Sequence, residues 1–355
     1  MTEKIAKALR LIKDCGADGV LVSDPANIRY LSGYTNDTGV LFLSEKECCL
    51  LTDFRFLYQA LDEAKGFRVI DIGRQGYECL IGELCMKSSV KKLAFEKHVM
   101  TYREYESYRE NVKAELVPCD NVLATLRFIK TKEEIELLRT AEHIGDMAFS
   151  EILPYLKPGV TELEIAARLA FSMKMHGASG ESFPAIVASG VNSSMPHAIP
   201  SERKIQNGDF VTMDFGCVYK GYCSDMTRTV VLGKASDKQK EIYETVLKAQ
   251  TEALKALKPG KKGREIDAVA RDIITEAGYG DCFGHGLGHS VGLQIHEDPN
   301  CNMREERVLQ AGMIMTVEPG IYVQDFGGVR IEDMVVLTED GCENLAHSEK
   351  KLIEL

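Results

Sequence analysis

Up to about residue 122, short apolar runs of strand length alternate with stretches that mix charged and apolar residues at helical spacing. Glu3 to Cys15 reads as an amphipathic helix. The runs GVLVS (19–23), VLFLS (40–44) and CCLLTDF (48–54) read as strands, as do LAFEK (93–97) and AELVPC (114–119) later on. RFLYQALDEA (55–64) has a helical pattern. This alternation predicts a compact α/β domain.

The pattern then restarts. Thr131 with Glu134 three residues on is a capping-box signature, followed by apolar positions at 3.6 spacing. The boundary is therefore placed near here, giving domains 1–122 and 123–355. Helices are expected over Thr161–His176, Ser236–Leu257 and Arg264–Ala277, and a strand at IVASG (186–190). Two long alternating segments, DFVTMDFGCVYKGYCSDMTRTVVL (209–232) and MIMTVEPGIYVQDFGGVRIEDMVVL (313–337), read as hairpins that echo one another. Helices and antiparallel hairpins in this order predict an α+β second domain.

Composition fits two ordinary globular domains: 355 residues, 45% hydrophobic and 27% charged. A net charge of -11 disfavours nucleic acid and anionic membrane as partners. No run has the length of a membrane helix, and the N-terminus lacks the continuous apolar core of a signal peptide. Eleven cysteines without a CxxC pattern read as reduced thiols of a cytoplasmic protein.

Carboxylates interrupt both hairpins. With a turn centred on Tyr219 and Lys220, Asp214 and Asp225 would face each other across the strands, roughly 5 Å apart at Cβ. Glu318 and Glu332 flank the second turn in the same way. One such residue alone is usually a solvated strand-face residue. Four, placed symmetrically on apolar strands, repel one another unless a cation lies between them. One or two divalent cations with oxygen ligands meet that need, and a histidine is the expected fifth ligand.

FGHGLGHSVGLQIHE (283–297) supplies three histidines, His285, His289 and His296, on four glycines. It lacks the spacing of a phosphate loop, and no lysine follows. HExxH fails as well, because Asn300 stands four residues beyond His296. What remains is a loop whose glycines let backbone pass close to a crowded site.

At this point PHA (196–198), MDFG, SDMTRT, HGLGHSVGLQIHE, TVEPGIY and GVRIED together resemble the metallopeptidases that act on Xaa-Pro bonds, aminopeptidase P and prolidase. DPANIRYLSGY and RFIKTKEEI extend the resemblance over nearly the whole chain. It implies an α/β N-terminal domain followed by an α+β pita-bread catalytic domain. It also implies Asp214, Asp225, His289, Glu318 and Glu332 as ligands of two divalent ions, with Asp225 and Glu332 bridging them. Mn²⁺ suits this set, and Co²⁺ or Zn²⁺ could occupy it.

By the same resemblance a metal-bridging hydroxide is the nucleophile, and Glu318 handles its proton. His197 and His296 serve catalysis, while His285 and Arg330 bind or orient the substrate; Tyr322, four residues past Glu318, is expected at the pocket as a further substrate-binding residue. Met313 and Met315 read as core. The implied substrates are peptides with proline in second position, and the implied assembly is a homodimer. The length leans towards the aminopeptidase over the dipeptide-restricted prolidase. Methionine aminopeptidase shares the ligand order without such a preceding domain. Creatinase-like amidinohydrolases and non-catalytic peptide-binding modules of this fold lose ligands, and this chain keeps all five.

Overall fold

Residues 2–355 are described by a computed structural model. The chain divides into two units, Met1–Arg127 and Phe128–Leu355.

The first unit is built on β1 (Gly19–Val22), β2 (Val40–Ser44), β3 (Cys48–Thr52), β4 (Arg68–Asp71), β5 (Lys92–Glu96) and β6 (Glu115–Cys119), in the order β4-β3-β2-β1-β5-β6. Alternate residues face opposite sides. Val20, Val22, Leu41 and Leu43 join one core cluster with Ile12 of α1 (Glu3–Asp14) and Ile28 of α2 (Pro25–Ser32). Leu21, Phe42 and Leu51 join another with Leu80 and Leu84 of α4 (Gly76–Ser88) and Tyr108 of α5 (Tyr102–Asn111). Both faces are covered, so the strands read as continuous apolar runs. Between them in sequence, the expected helix at 55–64 is the shorter α3 (Leu57–Glu63).

DPANIRYLSG turns out to encode α2 with both its ends. Asp24 accepts hydrogen bonds from the backbone N–H groups of Ala26 and Asn27, Pro25 opens the helix, and Gly33 closes it at φ 79°. The unit ends later than the expected 122/123 division. The 3-10 turn Val122–Arg127 stays with it: Leu123 packs into the core, Tyr30 Oη donates to the Leu126 carbonyl, and the Arg127 guanidinium donates to the Asn27 side chain.

The second unit opens with α6 (Lys132–Ile152), capped by the Thr131/Glu134 box, and α7 (Glu162–Met175), capped by Thr161 and Glu164. After β7 (Gly180–Glu181) and β8 (Ile186–Ser189) comes the first hairpin. It consists of β9 (Phe210–Phe215), β10 (Cys217–Tyr219), β11 (Tyr222–Cys223) and β12 (Met226–Val231). α8 (Asp237–Ala256) and α9 (Gly263–Glu276) precede a short pair, β13 (Gly288–Ser290) and β14 (Glu297–Cys301). The second hairpin follows as β15 (Ile314–Val317), β16 (Gly320–Val323), β17 (Gly327–Arg330) and β18 (Asp333–Leu337), with β19 (Cys342–Asn344) at its edge.

Each hairpin is covered by its own helix pair. Ile144, Phe149, Ile165 and Leu169 of α6 and α7 pack on Val211, Met213 and Val230. Ile242, Val246, Ile266 and Ala270 of α8 and α9 pack on Met315, Val317, Val329 and Val335, so Met315 is core, and Met313 joins the same cluster. Each fully buried aliphatic side chain contributes about 1.5–3 kcal/mol. Both hairpins are thus pinned on one face, which leaves the other free to carry polar groups.

Candidate metal centre

The first hairpin departs from the expected register. Its turn centres on Lys220 and Gly221, both at positive φ (46° and 88°), which is the type I′ geometry that matches strand twist. Asp214 therefore pairs with Thr227, not with Asp225. Asp225 lies in the gap between β11 and β12, diagonal to Asp214 on the ladder, a spacing of about 7–8 Å for Cα atoms. In the second hairpin Val317 pairs with Asp333 and Gly320 with Arg330, so Glu318 and Glu332 face one another where the ladder is interrupted. Three of the five expected ligands thus sit at breaks between strand segments, where side chains can converge.

They do converge, in a cleft of about 490 Å³ that all five help to line. His289 Nε2 lies 3.5 Å from Asp225 Oδ2 and 3.4 Å from Glu318 Oε1. Its Nδ1 faces the Ser290 carbonyl at 3.1 Å. A carbonyl only accepts, so Nδ1 carries the hydrogen and Nε2 presents a lone pair to two carboxylates. Burial lowers the His289 pKa to about 4, which keeps the imidazole neutral. Ligand atoms of Asp225, His289 and Glu332 lie within 4.8 Å of one another.

The carboxylates show the same need for a cation. Arg330 Nη2 donates to Asp214 Oδ2 at 2.6 Å, and Thr227 Oγ1 donates to Glu332 Oε2 at 2.7 Å. Their other oxygens, Asp214 Oδ1 and Glu332 Oε1, are buried without a hydrogen-bond partner. One oxygen of each is pinned and the other is left for a cation. Burial, then the charge of neighbouring carboxylates, pushes Asp225 and Glu332 well above the usual carboxylate range. The residues therefore fit divalent ions.

Glu318 is pushed up to about 8, by burial first; Arg330 pulls it down and Asp214 adds to the rise. A carboxyl whose folded pKa exceeds its unfolded one stabilises fully below the unfolded value, and that contribution is lost as pH rises through the folded value. The melting temperature of the metal-free protein is therefore expected to fall between about pH 5 and pH 8, and a divalent ion should restore it most at the upper end. A melting temperature that rises over that window without metal would contradict the picture.

The remaining expected site residues surround this group. His197 and His296 are exposed at the cleft, and the His296 ring meets the His289 ring edge-on at 4.5 Å. Arg330, 3% exposed, has its donors on Asp214, Tyr322 Oη, Thr227 Oγ1 and the Pro196 carbonyl. His285 Nδ1 donates to the Gly286 carbonyl, so its Nε2 accepts from Tyr322 Oη at 2.9 Å. Tyr322 is tied to the site through Arg330 and His285 and does not itself line the cleft.

Several supporting residues escaped the sequence reading. Thr316 Oγ1 accepts from the His289 N–H and donates to Glu318 Oε1. Glu142 of α6, fully buried, accepts from the Asp225 N–H. Arg228 donates to the Glu332 carbonyl and to Asp333 Oδ1. Thr227, Arg228 and Asp333 stood inside the motifs SDMTRT and RIED, but nothing local marked them as supports.

Comparison with known proteins identifies the family. A model of metallopeptidase family M24 matches residues 136–339, and one of the creatinase/prolidase N-terminal domain matches residues 4–129. An Xaa-Pro dipeptidase of Pyrococcus furiosus is 39% identical over 357 residues, covering 99% of this chain and 100% of its own. The solved Xaa-Pro dipeptidase from Bacillus anthracis matches with TM-score 0.97 and 44% identity over 99% of both chains. The X-Pro aminopeptidase from Thermotoga maritima matches with TM-score 0.91 and 36% identity over 98% of this chain and 100% of its own. The chain belongs to metallopeptidase family M24, its catalytic unit preceded by a creatinase/prolidase N-terminal domain.

Proposed function

We propose that this protein hydrolyses the bond between an N-terminal residue and proline, with dipeptides as its main substrates. One observation carries the metal-dependent chemistry: a bare imidazole nitrogen and carboxylate oxygens without partners converge in one cleft. Asp214, Asp225, His289, Glu318 and Glu332, which line that cleft, would hold two divalent ions. When bound, two such ions supply Lewis acidity and lower the pKa of a bound water towards neutrality.

The chain's own groups do the rest. Glu318, whose carboxyl lies near 8 before any ion binds, takes and returns a proton. His296, beside His289, donates to the oxygen of the scissile carbonyl as charge grows there. His197, also on the cleft wall, positions the peptide or hands a proton to the leaving nitrogen. Phe183, Pro184 and Ile295 give the cleft an apolar wall. Such a wall suits a pyrrolidine ring, whose amide nitrogen has no hydrogen to donate.

Oxygen ligands with one imidazole favour Mn²⁺, with Co²⁺ or Zn²⁺ as substitutes. Among the described residues no helix is long and apolar enough to cross a membrane. Among the described residues none of the eleven cysteines is in a disulfide, which supports a reducing, cytoplasmic setting. A homodimer is the assembly expected by the family resemblance.

The length of the sequence leans towards an aminopeptidase, whereas the Xaa-Pro dipeptidases of Pyrococcus furiosus and Bacillus anthracis, at 39% and 44% identity, favour the dipeptidase. The Thermotoga maritima match keeps the aminopeptidase as a second reading. Turnover of an Xaa-Pro dipeptide and an Xaa-Pro-Xaa tripeptide, with added Mn²⁺, decides between them. The dipeptide is expected to be faster. A faster tripeptide makes the protein an aminopeptidase, and turnover of neither overturns both readings.

A further inference from the structure

Lys130 is neither one of the five expected ligands nor part of the cleft lining, yet its ammonium reaches β13, which holds His289, and β14, which His296 immediately precedes. Its side chain is 2% exposed and that of Glu297 is 3% exposed, and the two form an ion pair at 3.1 Å. The same ammonium donates to Ser290 Oγ at 3.1 Å.

Position in sequence gives this contact its meaning. Ser290 directly follows His289, and Glu297 directly follows His296. Ser290 and Glu297 are register partners of β13 and β14, beside an irregularity between His289 and Ser290. The ion pair therefore closes the base of the loop 291–296.

Glu297 also organises that loop from within. Its Oε1 accepts from the Gln294 N–H at 3.3 Å. Its Oε2 packs against Gly292, where an added Cβ would lie 2.5 Å away, so only glycine lets the carboxylate sit there. Lys130 is itself anchored, its backbone N–H donating to the Gly312 carbonyl at 2.9 Å. Its charge thus fixes the carboxylate, and the carboxylate fixes the loop that ends in His296.

A buried ion pair adds little net stability over an apolar pair of similar size, but it does specify geometry. Strands of three and five residues, irregular at the crucial step, leave the orientation of His296 underdetermined by the ladder alone.

We propose that Lys130 is a positioning residue for the reaction: acting through Glu297, it holds the His296 ring at the angle to His289 that the hydrolytic step requires. This rests on the reading of His296 given above.

Lys130→Met keeps most of the length of the side chain and removes its charge. A drop of about 10- to 100-fold in kcat on an Xaa-Pro dipeptide is expected, the range seen when a residue supporting a metal site is lost. KM should stay within about threefold, since ground-state binding is untouched. Bound metal should stay at the wild-type amount, and Lys130→Arg should regain most of the rate. Because the effect travels through His296, Lys130→Met should lower kcat no further in a His296→Ala background.

A separate readout does not depend on turnover. In the metal-free protein, the ring ¹⁵N resonances of His296 should shift in Lys130→Met while those of His285 stay in place. Should that variant fail to fold, Glu297→Gln is expected to give the same pattern.

The proposal is overturned by an unchanged kcat, by loss of metal together with activity, or by the same fold-loss in the His296→Ala background. If wild-type protein cleaves no Xaa-Pro peptide, the hydrolytic reading fails instead. The His296 resonances then decide the clamp alone, and unmoved resonances overturn it.

Discussion

Asp225→Asn and Glu332→Gln are each expected to abolish hydrolysis of an Xaa-Pro peptide and to empty the metal centre in the same step. Both carboxylates sit in the triad of converging ligand atoms with His289, and both are buried deeply enough that burial and mutual repulsion disfavour their charged forms. Only a cation shared between them offsets that cost. An amide keeps the shape but removes the charge, so the remaining ligands cannot hold the ions at ordinary concentrations.

The ions' Lewis acidity contributes several kcal/mol to the transition state, so turnover should fall by roughly 10³-fold or more. Metal analysis and turnover on one preparation provide the check. Either variant keeping its metal and its rate would remove the two-ion reading.

Arg228→Met is expected to destabilise the protein by about 3–5 kcal/mol, the usual penalty for removing one partner of a buried ion pair. Arg228 is 1% exposed and its partner Asp333 is 0% exposed. Beyond Asp333, its guanidinium donates to the backbone carbonyls of Thr227, Glu332 and Ser348. Burial alone would raise the Asp333 pKa, but the cations of Arg228 and Lys350 bring it below the usual carboxylate value.

Methionine fills much of the space and satisfies none of these acceptors. Since Thr227 and Glu332 carry the site, metal affinity should also weaken, by about 10- to 100-fold. Urea unfolding at constant metal concentration measures the first effect, and a loss below about 1 kcal/mol would show that Lys350, Gln250 and Asn344 suffice to hold Asp333.

Much of the site was legible because clustered carboxylates leave an unusual mark on apolar strands. Carboxylates at Asp214, Asp225, Glu318 and Glu332 contradict the apolar runs around them, and that local conflict survives in the sequence whatever the fold. Register was less legible. The I′ turn at Lys220 and Gly221 depends on two positive φ values, and lysine gives no warning of one. Helices α4 and α5 escaped notice as well: α5 buries only Tyr108 and so carries no apolar stripe. The capping boxes at Thr131, Thr161 and Ser236 are contained within a few residues, and those helices begin where the pattern predicts.

The sequence by itself determined the alternation of the first unit, the capped helix at Thr131, both hairpins and the four carboxylates that interrupt them. Each of these is written in periodicity, in a cap or in a residue type that conflicts with its surroundings. Tertiary structure alone decided that Asp214 faces Thr227 instead of Asp225, that Arg330 is committed to Asp214 and Tyr322, and that Lys130 meets Glu297, 167 residues away, at the base of the His296 loop. The reason is physical: a hydrogen bond or ion pair between distant segments imposes no period on either one. Lysine before a helix and glutamate after a histidine look ordinary until folding buries both and leaves each the other's counter-charge.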